Sequence, residues 1–265
     1  MKCSEIMECL EKLSPVNYAA GWDNVGLLVG RKDKEVDKVM VALDASAWTV
    51  KRAVEEKVDM LITHHPMIFS SFKKVNEDDP VSEKILTLAE NRISYYAMHT
   101  NFDTIGGMGE LAAGPEFLNL KDSKPLVFES DRDGIYGMGR GGFLPAPMTA
   151  EEVCEYVKDR FKLPFVMLYQ NADMAGKQYD RIAVLPGSGK SELNEVKRLG
   201  YELYLTGDYS HHPGIDAMEL GMTVIDATHY GLEKICVAFI ADHLKNNYSE
   251  LNIMEYDSGC PIRLL

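Results

Sequence analysis

The sequence predicts an α/β protein with a duplicated, two-lobed fold, each lobe built on a mostly parallel central sheet. Three observations predict it. Short apolar runs alternate with helix-patterned segments in both halves, which is the signature of β-α-β units. The second half repeats the order of the first. Six of the 7 histidines stand at or soon after the ends of the strand-like runs, and His243, in a late helical segment, is the exception. In open α/β sheets the carboxyl ends of strands line the ligand crevice. Imidazoles delivered there converge, so the cleft between the lobes is the expected place for a metal site.

In chain order, SEIMECLEKL carries Ile6, Met7, Leu10 and Leu13 at helical spacing, with Ser4 as N-cap and Pro15 as the stop. The glycine-rich AGWDNVGLLVG leads to a strand, KVMVALDA (38–45). Helix-like TVKRAVEEK leads to the strand VDMLIT (58–63), and VSEKILTLAEN (81–91) leads to ISYYAM (93–98). From about 126 to 148 the composition shifts toward glycine and proline, which predicts a domain junction. The first lobe is therefore expected over 1–125 and the second over 126–265, with the C-terminal segment free to pack back on the first.

A capping box, Thr149 with Glu152, opens the amphipathic helix EEVCEYVKDRF. RIAVLP (181–186), YELYLT (201–206) and TVIDAT (223–228) then read as strands. They are separated by the helices SELNEVKRLG and HPGIDAMELG and followed by LEKICVAFIADHLK. The repeat is also local: THHP is answered by TGDYSHHP, and MHTNFD by DATHYGLE.

Composition narrows the function. A hydrophobic content of 46% and a charged content of 26% fit a globular chain with a sizeable core. The formal charge of −13 counts against a nucleic-acid surface, which needs clustered Lys and Arg. Five cysteines without a CxxC pair argue for reduced thiols and a cytoplasmic location. MKCSEIMECLEKLSP has no continuous apolar run of the signal-peptide kind, and no stretch approaches the ~18 apolar residues of a spanning helix.

The chemistry lies in three motifs. Neighbouring residues of a strand face opposite ways, so His64 and His65 of THHP are expected at a strand end, diverging toward two ions. The bland alternative is one packed and one exposed histidine. HTNFD adds His99 and Asp103, a carboxylate suited to a divalent transition metal, although Asp103 also fits a turn position. HYGLE places His229 and Glu233 at i and i+4, on one face of a helix. Such a pair is common on helix surfaces, but this one directly follows a strand. GSGKS (187–191) resembles the end of a P-loop, yet the position that needs glycine is Val184. It is expected as a tight turn, with a phosphate-cradling turn as the alternative. GMGRGG (137–142) is expected as junction loop.

Taken in order over nearly the whole chain, GWDNVGLLVG, THHP, HTNFD, GDYSHH and HYGLE closely resemble the dinuclear metal-centre family named for NGG-interacting factor three. Its members are known as type 2 homologues of GTP cyclohydrolase I. The resemblance implies a two-lobed α/β fold and toroidal homohexamers with metal pairs facing the central space. It also implies His64, His65, Asp103, His229 and Glu233 as metal ligands. His64 and Asp103 would hold one ion, His65 and His229 the other, with Glu233 bridging.

The expected function is that of a dinuclear, divalent-metal-dependent hydrolase of the GTP cyclohydrolase type, using a metal-activated water. His99 and His212 are the candidate catalytic proton carriers. Their alternative task is to hydrogen-bond Asp103 or Asp208 and fix loop geometry. The cofactors are two divalent ions per chain, with Zn, Mn, Fe, Ni and Co all compatible with His and carboxylate donors. The substrate is a small molecule, a nucleotide or a phosphate ester; nucleic acid and membrane are not expected partners. The rival reading, from a different class, is a non-catalytic metal-binding or partner-binding protein.

Overall fold

The computed structural model describes residues 1–128 and 136–264. They form two compact units, Met1–Gly106 with Cys236–Leu265, and Gly107–Ile235. The first stretch holds α1 (Cys3–Leu13), β1 (Gly26–Val29), β2 (Lys38–Asp44), α2 (Ala47–Glu55), β3 (Met60–His65), α3 (Pro80–Glu90), β4 (Ser94–Ala97) and α4 (Thr100–Thr104). The second unit holds α5 (Met108–Ala113), β5 (Lys121–Phe128), β6 (Gly137–Met148), α6 (Ala150–Phe161), β7 (Met167–Tyr169) and β8 (Tyr179–Ser188). It continues with α7 (Leu193–Arg198), β9 (Leu203–Gly207), α8 (His211–Glu219), β10 (Thr223–Asp226) and α9 (His229–Glu233). The chain then adds α10 (Ile235–Asn247) and β11 (Asn252–Tyr256).

The sheet of the first unit has the order β1-β4-β3-β2-β11. Its pairings are parallel except for β1 against β4. Val39–Leu43 of β2 and Met60–His64 of β3 are buried without interruption, as expected of strands covered on both faces. Met40, Val50, Ala53, Leu61, Leu88 and Tyr95 form a core between this sheet and its helices. The helices start where local chemistry directs. Ser46 accepts the Thr49 N–H at 3.1 Å and Asp79 accepts the Ser82 N–H at 2.8 Å, with Pro80 as the first residue of α3. In α1 the expected Ser4 cap is displaced. The helix begins at Cys3, and the Glu5 carboxylate accepts the Lys2 N–H at 2.6 Å instead.

The sheet of the second unit has the order β5-β6-β8-β9-β10-β7. Its β8, β9 and β10 are parallel, and antiparallel strands flank them on both sides. The two units share one connectivity. Three consecutive strands joined by helices (β2-β3-β4 and β8-β9-β10) lie side by side and parallel, with an antiparallel strand beside the third (β1 and β7). That is the duplication the sequence predicts.

Several expectations shift. The boundary expected between 125 and 126, within a junction over about 126–148, falls inside the second unit; residues 129–135 of that junction lie outside the described residues. The contacts instead divide at Gly106 and at Ile235, and β11 joins the first unit's sheet beside β2. GMGRGG, expected as loop, is part of β6, paired on one side with β5 and on the other with β8. Its glycines are there for close approach. A Cβ on Gly141 would lie 2.3 Å from Tyr201 Cζ, so the strand passes directly under the Tyr201 ring. Among the described residues no helix is long and apolar enough to cross a membrane.

The α6 capping box stands as the sequence reads it. Thr149 Oγ1 accepts the Glu152 N–H at 3.2 Å, and Glu152 Oε2 accepts the Thr149 N–H at 2.7 Å. Thr149→Ala removes one half of it and should lower stability by about 1 kcal/mol in urea unfolding. An unchanged midpoint would show that the box is decorative.

Candidate metal centre

In the first unit β3 runs two residues beyond its expected end, so His64 and His65 belong to the strand itself. Alternation buries His64 fully and leaves His65 half-buried. The next parallel strand, β4, leads to His99 and the short helix α4, which carries Asp103. Ring centroids of His64, His65 and His99 lie 4.9, 5.2 and 5.5 Å apart, and each offers a ring nitrogen within 4.8 Å of the others. Asp103 Oδ1 lies 3.6 Å from His64 Nε2. That is long for a hydrogen bond. It matches two donors on one tetrahedral ion, which at ~2.1 Å from the metal are ~3.4 Å apart.

The acceptors behind these rings decide what the rings can do. His64 Nδ1–H donates to the Met98 carbonyl at 2.7 Å, and His65 Nδ1–H to Asp44 Oδ1 at 2.7 Å. His99 Nδ1–H donates to Asp23, 3.0 and 3.1 Å from its two oxygens. A carbonyl or carboxylate oxygen can only accept, so the proton sits on Nδ1 and Nε2 keeps its lone pair in the neutral ring. This is the arrangement by which proteins orient imidazole for a metal. The Asp23 side chain is itself buried. Burial opposes its ionisation, but hydrogen bonds from His99 and from the Thr100 hydroxyl and amide outweigh it and hold the carboxyl well below the usual carboxylate range.

The second unit places His229 and Glu233 on α9, directly after β10. His229 Nε2 lies 2.9 Å from Glu233 Oε2, and its Nδ1–H donates to Asp208 at 2.8 Å. Donors on one octahedral ion at ~2.1 Å are ~3.0 Å apart, so this pair also fits a shared ion. The backbone is forced to present the ring. Thr228, a β-branched residue, holds φ 62 and ψ 152, a region costing about 1–3 kcal/mol outside glycine. Its amide donates to Asp226 Oδ1 at 2.8 Å, while its hydroxyl accepts the Gly231 N–H at 3.0 Å and caps α9. Burial raises the Asp226 carboxyl above its ordinary value although the Thr228 and Tyr209 amides both donate to it.

The GSGKS turn lies beside this pair. Gly187 has φ +82, and a Cβ there would come within 2.6 Å of Glu233 Oε1 and 3.8 Å of His229 Nε2. Gly187 and Ser188, expected in a tight turn, are the last residues of β8, and this strand end is therefore the wall of the Glu233 site. Gly189 N–H donates to Thr206 Oγ1 at 3.0 Å and its carbonyl accepts the Tyr204 hydroxyl at 2.9 Å.

The sequence-derived residues thus fall into two sets: His64, His65, His99 and Asp103 in one unit, and His229 and Glu233 in the other. His212 lies exposed in the first turn of α8, its ring 5.2 Å from that of His211. Among the described residues it belongs to none of the groups of convergent metal donors. Asp103 and Asp208 are not the partners of His99, which turns to Asp23; Asp208 holds His229. Sequence reasoning missed Asp23, Asp44 and Gly187 as parts of the site. Asp23 lies inside the GWDNVG motif and Asp44 ends β2, so strand-end position was the available signal for Asp44.

If the Nδ1 acceptors set the rings, Asp44→Ala and Asp208→Ala should each weaken divalent-ion binding about 10- to 100-fold in isothermal titration with Zn or Mn. Gly187→Ala should do the same by displacing Glu233. Unaltered affinity in all three would mean that the rings orient themselves without these contacts.

The model of the family Duf34/NIF3 (NGG1p interacting factor 3) matches residues 1–260. The GTP cyclohydrolase 1 type 2 homolog of Methanocaldococcus jannaschii is 36% identical over 262 residues, covering 97% of this chain and 100% of that protein. The protein of the same name from Clostridium acetobutylicum is 31% identical over 254 residues, covering 96% and 93%. The crystal structure of a Bacillus cereus protein related to NIF3 superposes with a TM-score of 0.88 over 100% of this chain and 99% of that one; at 22% identity it speaks to the fold alone. With histidine and carboxylate donors held on matching strand ends and a family model spanning nearly its whole length, the chain belongs to the Duf34/NIF3 family.

Proposed function

We propose that the protein is a hydrolase dependent on a pair of divalent metal ions. Its ligands are His64, His65, Asp103, His229 and Glu233. His64 and Asp103 serve one ion, His65 and His229 the other, and Glu233 bridges. The observation that carries this reading is the set of Nδ1 hydrogen bonds on His64, His65 and His229. Each leaves Nε2 as a donor, and carboxylates stand at 3.6 Å and 2.9 Å from two of those atoms. A surface ion pair has no need of that second hydrogen bond. Nitrogen and oxygen donors without thiolate suit Zn, Mn, Fe, Ni or Co.

Bound ions of this kind lower the pKa of a coordinated water and polarise the atom it attacks. The chain's own residues supply the rest. Asp23 fixes the His99 ring with Nε2 turned away from it, leaving a base within the cluster that can take a proton and pass it on. Burial of His64 and Glu233 keeps bulk water from competing for their donors. His212, exposed and outside the donor groups, is the weaker candidate of the two catalytic histidines. The substrate is a small molecule, with GTP first in line because relatives bear the name GTP cyclohydrolase 1 type 2 homolog. Assembly as a homohexamer in the cytoplasm completes the reading.

Elemental analysis after metal saturation should give close to two ions per chain, and one ion or none would remove the dinuclear claim. Glu233→Gln should lower occupancy of both ions, whereas Asp103→Asn should empty mainly one, because a bridging carboxylate neutralises two charges. Equal one-ion losses would reassign the bridge. Ligation requires the unprotonated imidazole, so affinity should fall as the pH is lowered from about 7.5 to about 5.5. A flat profile there would exclude histidine ligands. Turnover in a nucleotide-hydrolysis panel that needs the metal, and falls in His99→Ala while metal content holds, supports the enzyme. Full metal content with no turnover on any substrate favours a non-catalytic metal-binding protein.

A further inference from the structure

Two large aromatic side chains remain exposed beside the histidine cluster of the first unit. Trp22 keeps 66% of its surface and Phe69 keeps 54%. They come from different loops yet meet the same imidazole. The Trp22 ring stands 6.1 Å from the His99 ring at 73°, and the Phe69 ring stands 5.9 Å from it at 87°. Single exposed aromatics are ordinary. Two that converge on a ring of the proposed centre are not accounted for by chance exposure.

Both loops are anchored next to the aromatic residue. Asp23, adjacent to Trp22, accepts from His99 Nδ1, from the Thr100 amide at 3.0 Å and from the Thr100 hydroxyl at 2.6 Å. The Ala20 amide donates to the same hydroxyl at 2.8 Å. Asn24 Nδ2 donates at 2.8 Å to the carbonyl of Ile68, adjacent to Phe69, and so ties one loop to the other. The rings are thus held apolar and open at a fixed distance from a basic group. Rigid, pre-set aromatic surface is what lowers the entropic cost of binding a flat ligand.

We infer that Trp22 and Phe69, with the His99 ring between them, form a subsite for a flat heteroaromatic ring of the nucleobase type. Aromatic faces favour offset-stacked or edge-to-face contact with such a ring, and base–aromatic stacking tolerates different bases. The chain's charge of −13 disfavours a nucleic-acid strand, so the ligand is a free base, nucleoside or nucleotide. This rests on the hydrolase reading for the identity of the neighbouring centre and names the part of the substrate received there.

Trp22 and Trp48 are the chain's 2 tryptophans, so Trp48→Phe makes Trp22 the sole indole reporter. Guanosine added to this variant, with and without metal, should quench Trp22 saturably, and ribose 5-phosphate should not. Phe69→Ala in the same background should weaken guanosine binding about tenfold, the scale of one lost stack. Trp22→Ala, followed by calorimetry, should weaken it likewise. No saturable quenching, or a guanosine affinity indifferent to both substitutions, overturns the subsite. Trp22 emission that depends on protein concentration and not on guanosine also overturns it, assigning the face to a second copy of the chain. Quenching without turnover of any nucleotide keeps the subsite and removes the hydrolase. Turnover with KM unchanged in Phe69→Ala does the reverse.

Discussion

An imidazole has one proton and one lone pair to offer when neutral, and in this protein the protein itself decides which nitrogen has which. The Met98 carbonyl, Asp44, Asp23 and Asp208 each claim an Nδ1–H. Everything at the site depends on those acceptors. They select the tautomer and fix the ring plane, with Nε2 on the far side of each ring from its acceptor. An imidazole oriented at Nδ1 by a fixed acceptor turns Nε2 in a defined direction, which is how proteins orient the ring for a cation or a proton.

Duplication explains how so much of the apparatus comes from so little architecture. In both units the third parallel strand hands the chain to a five-residue helical turn, α4 or α9, with histidine at its start and a carboxylate four residues on. His99 with Asp103 and His229 with Glu233 are the two copies of that device. Divergence then differentiated them. His229 lies 2.9 Å from its own Glu233, whereas Asp103 approaches His64 of the neighbouring strand at 3.6 Å. The strained Thr228 marks the place where the second copy bends backbone to aim a ring.

Much of this was legible in the sequence because it is local. Periodicity and caps are written in consecutive residues, so β2, β3, α3, the α6 capping box and the strand-end histidines could be read directly. The rest depends on long-range approach. Glycines at 139, 141 and 142 read as loop until the Tyr201 ring over Gly141 shows why a side chain is excluded there. Asp23 and Asp44 are separated by 76 and 21 residues from the histidines they orient, and no spacing rule links them. The GSGKS segment lacks the full P-loop pattern, and its Gly187 matters as the surface against which Glu233 rests. Compositional contrast near residue 126 suggested a domain junction where the chain in fact adds strands to its second sheet.

The most direct test of this account is anomalous diffraction from crystals grown with Co or Zn. The account predicts two peaks, each within ~2.0–2.2 Å of an Nε2 atom of the pinned histidines, with His64 Nε2 at one and His229 Nε2 at the other. A single peak, peaks on Nδ1 atoms, or peaks confined to His211 and His212 would contradict it.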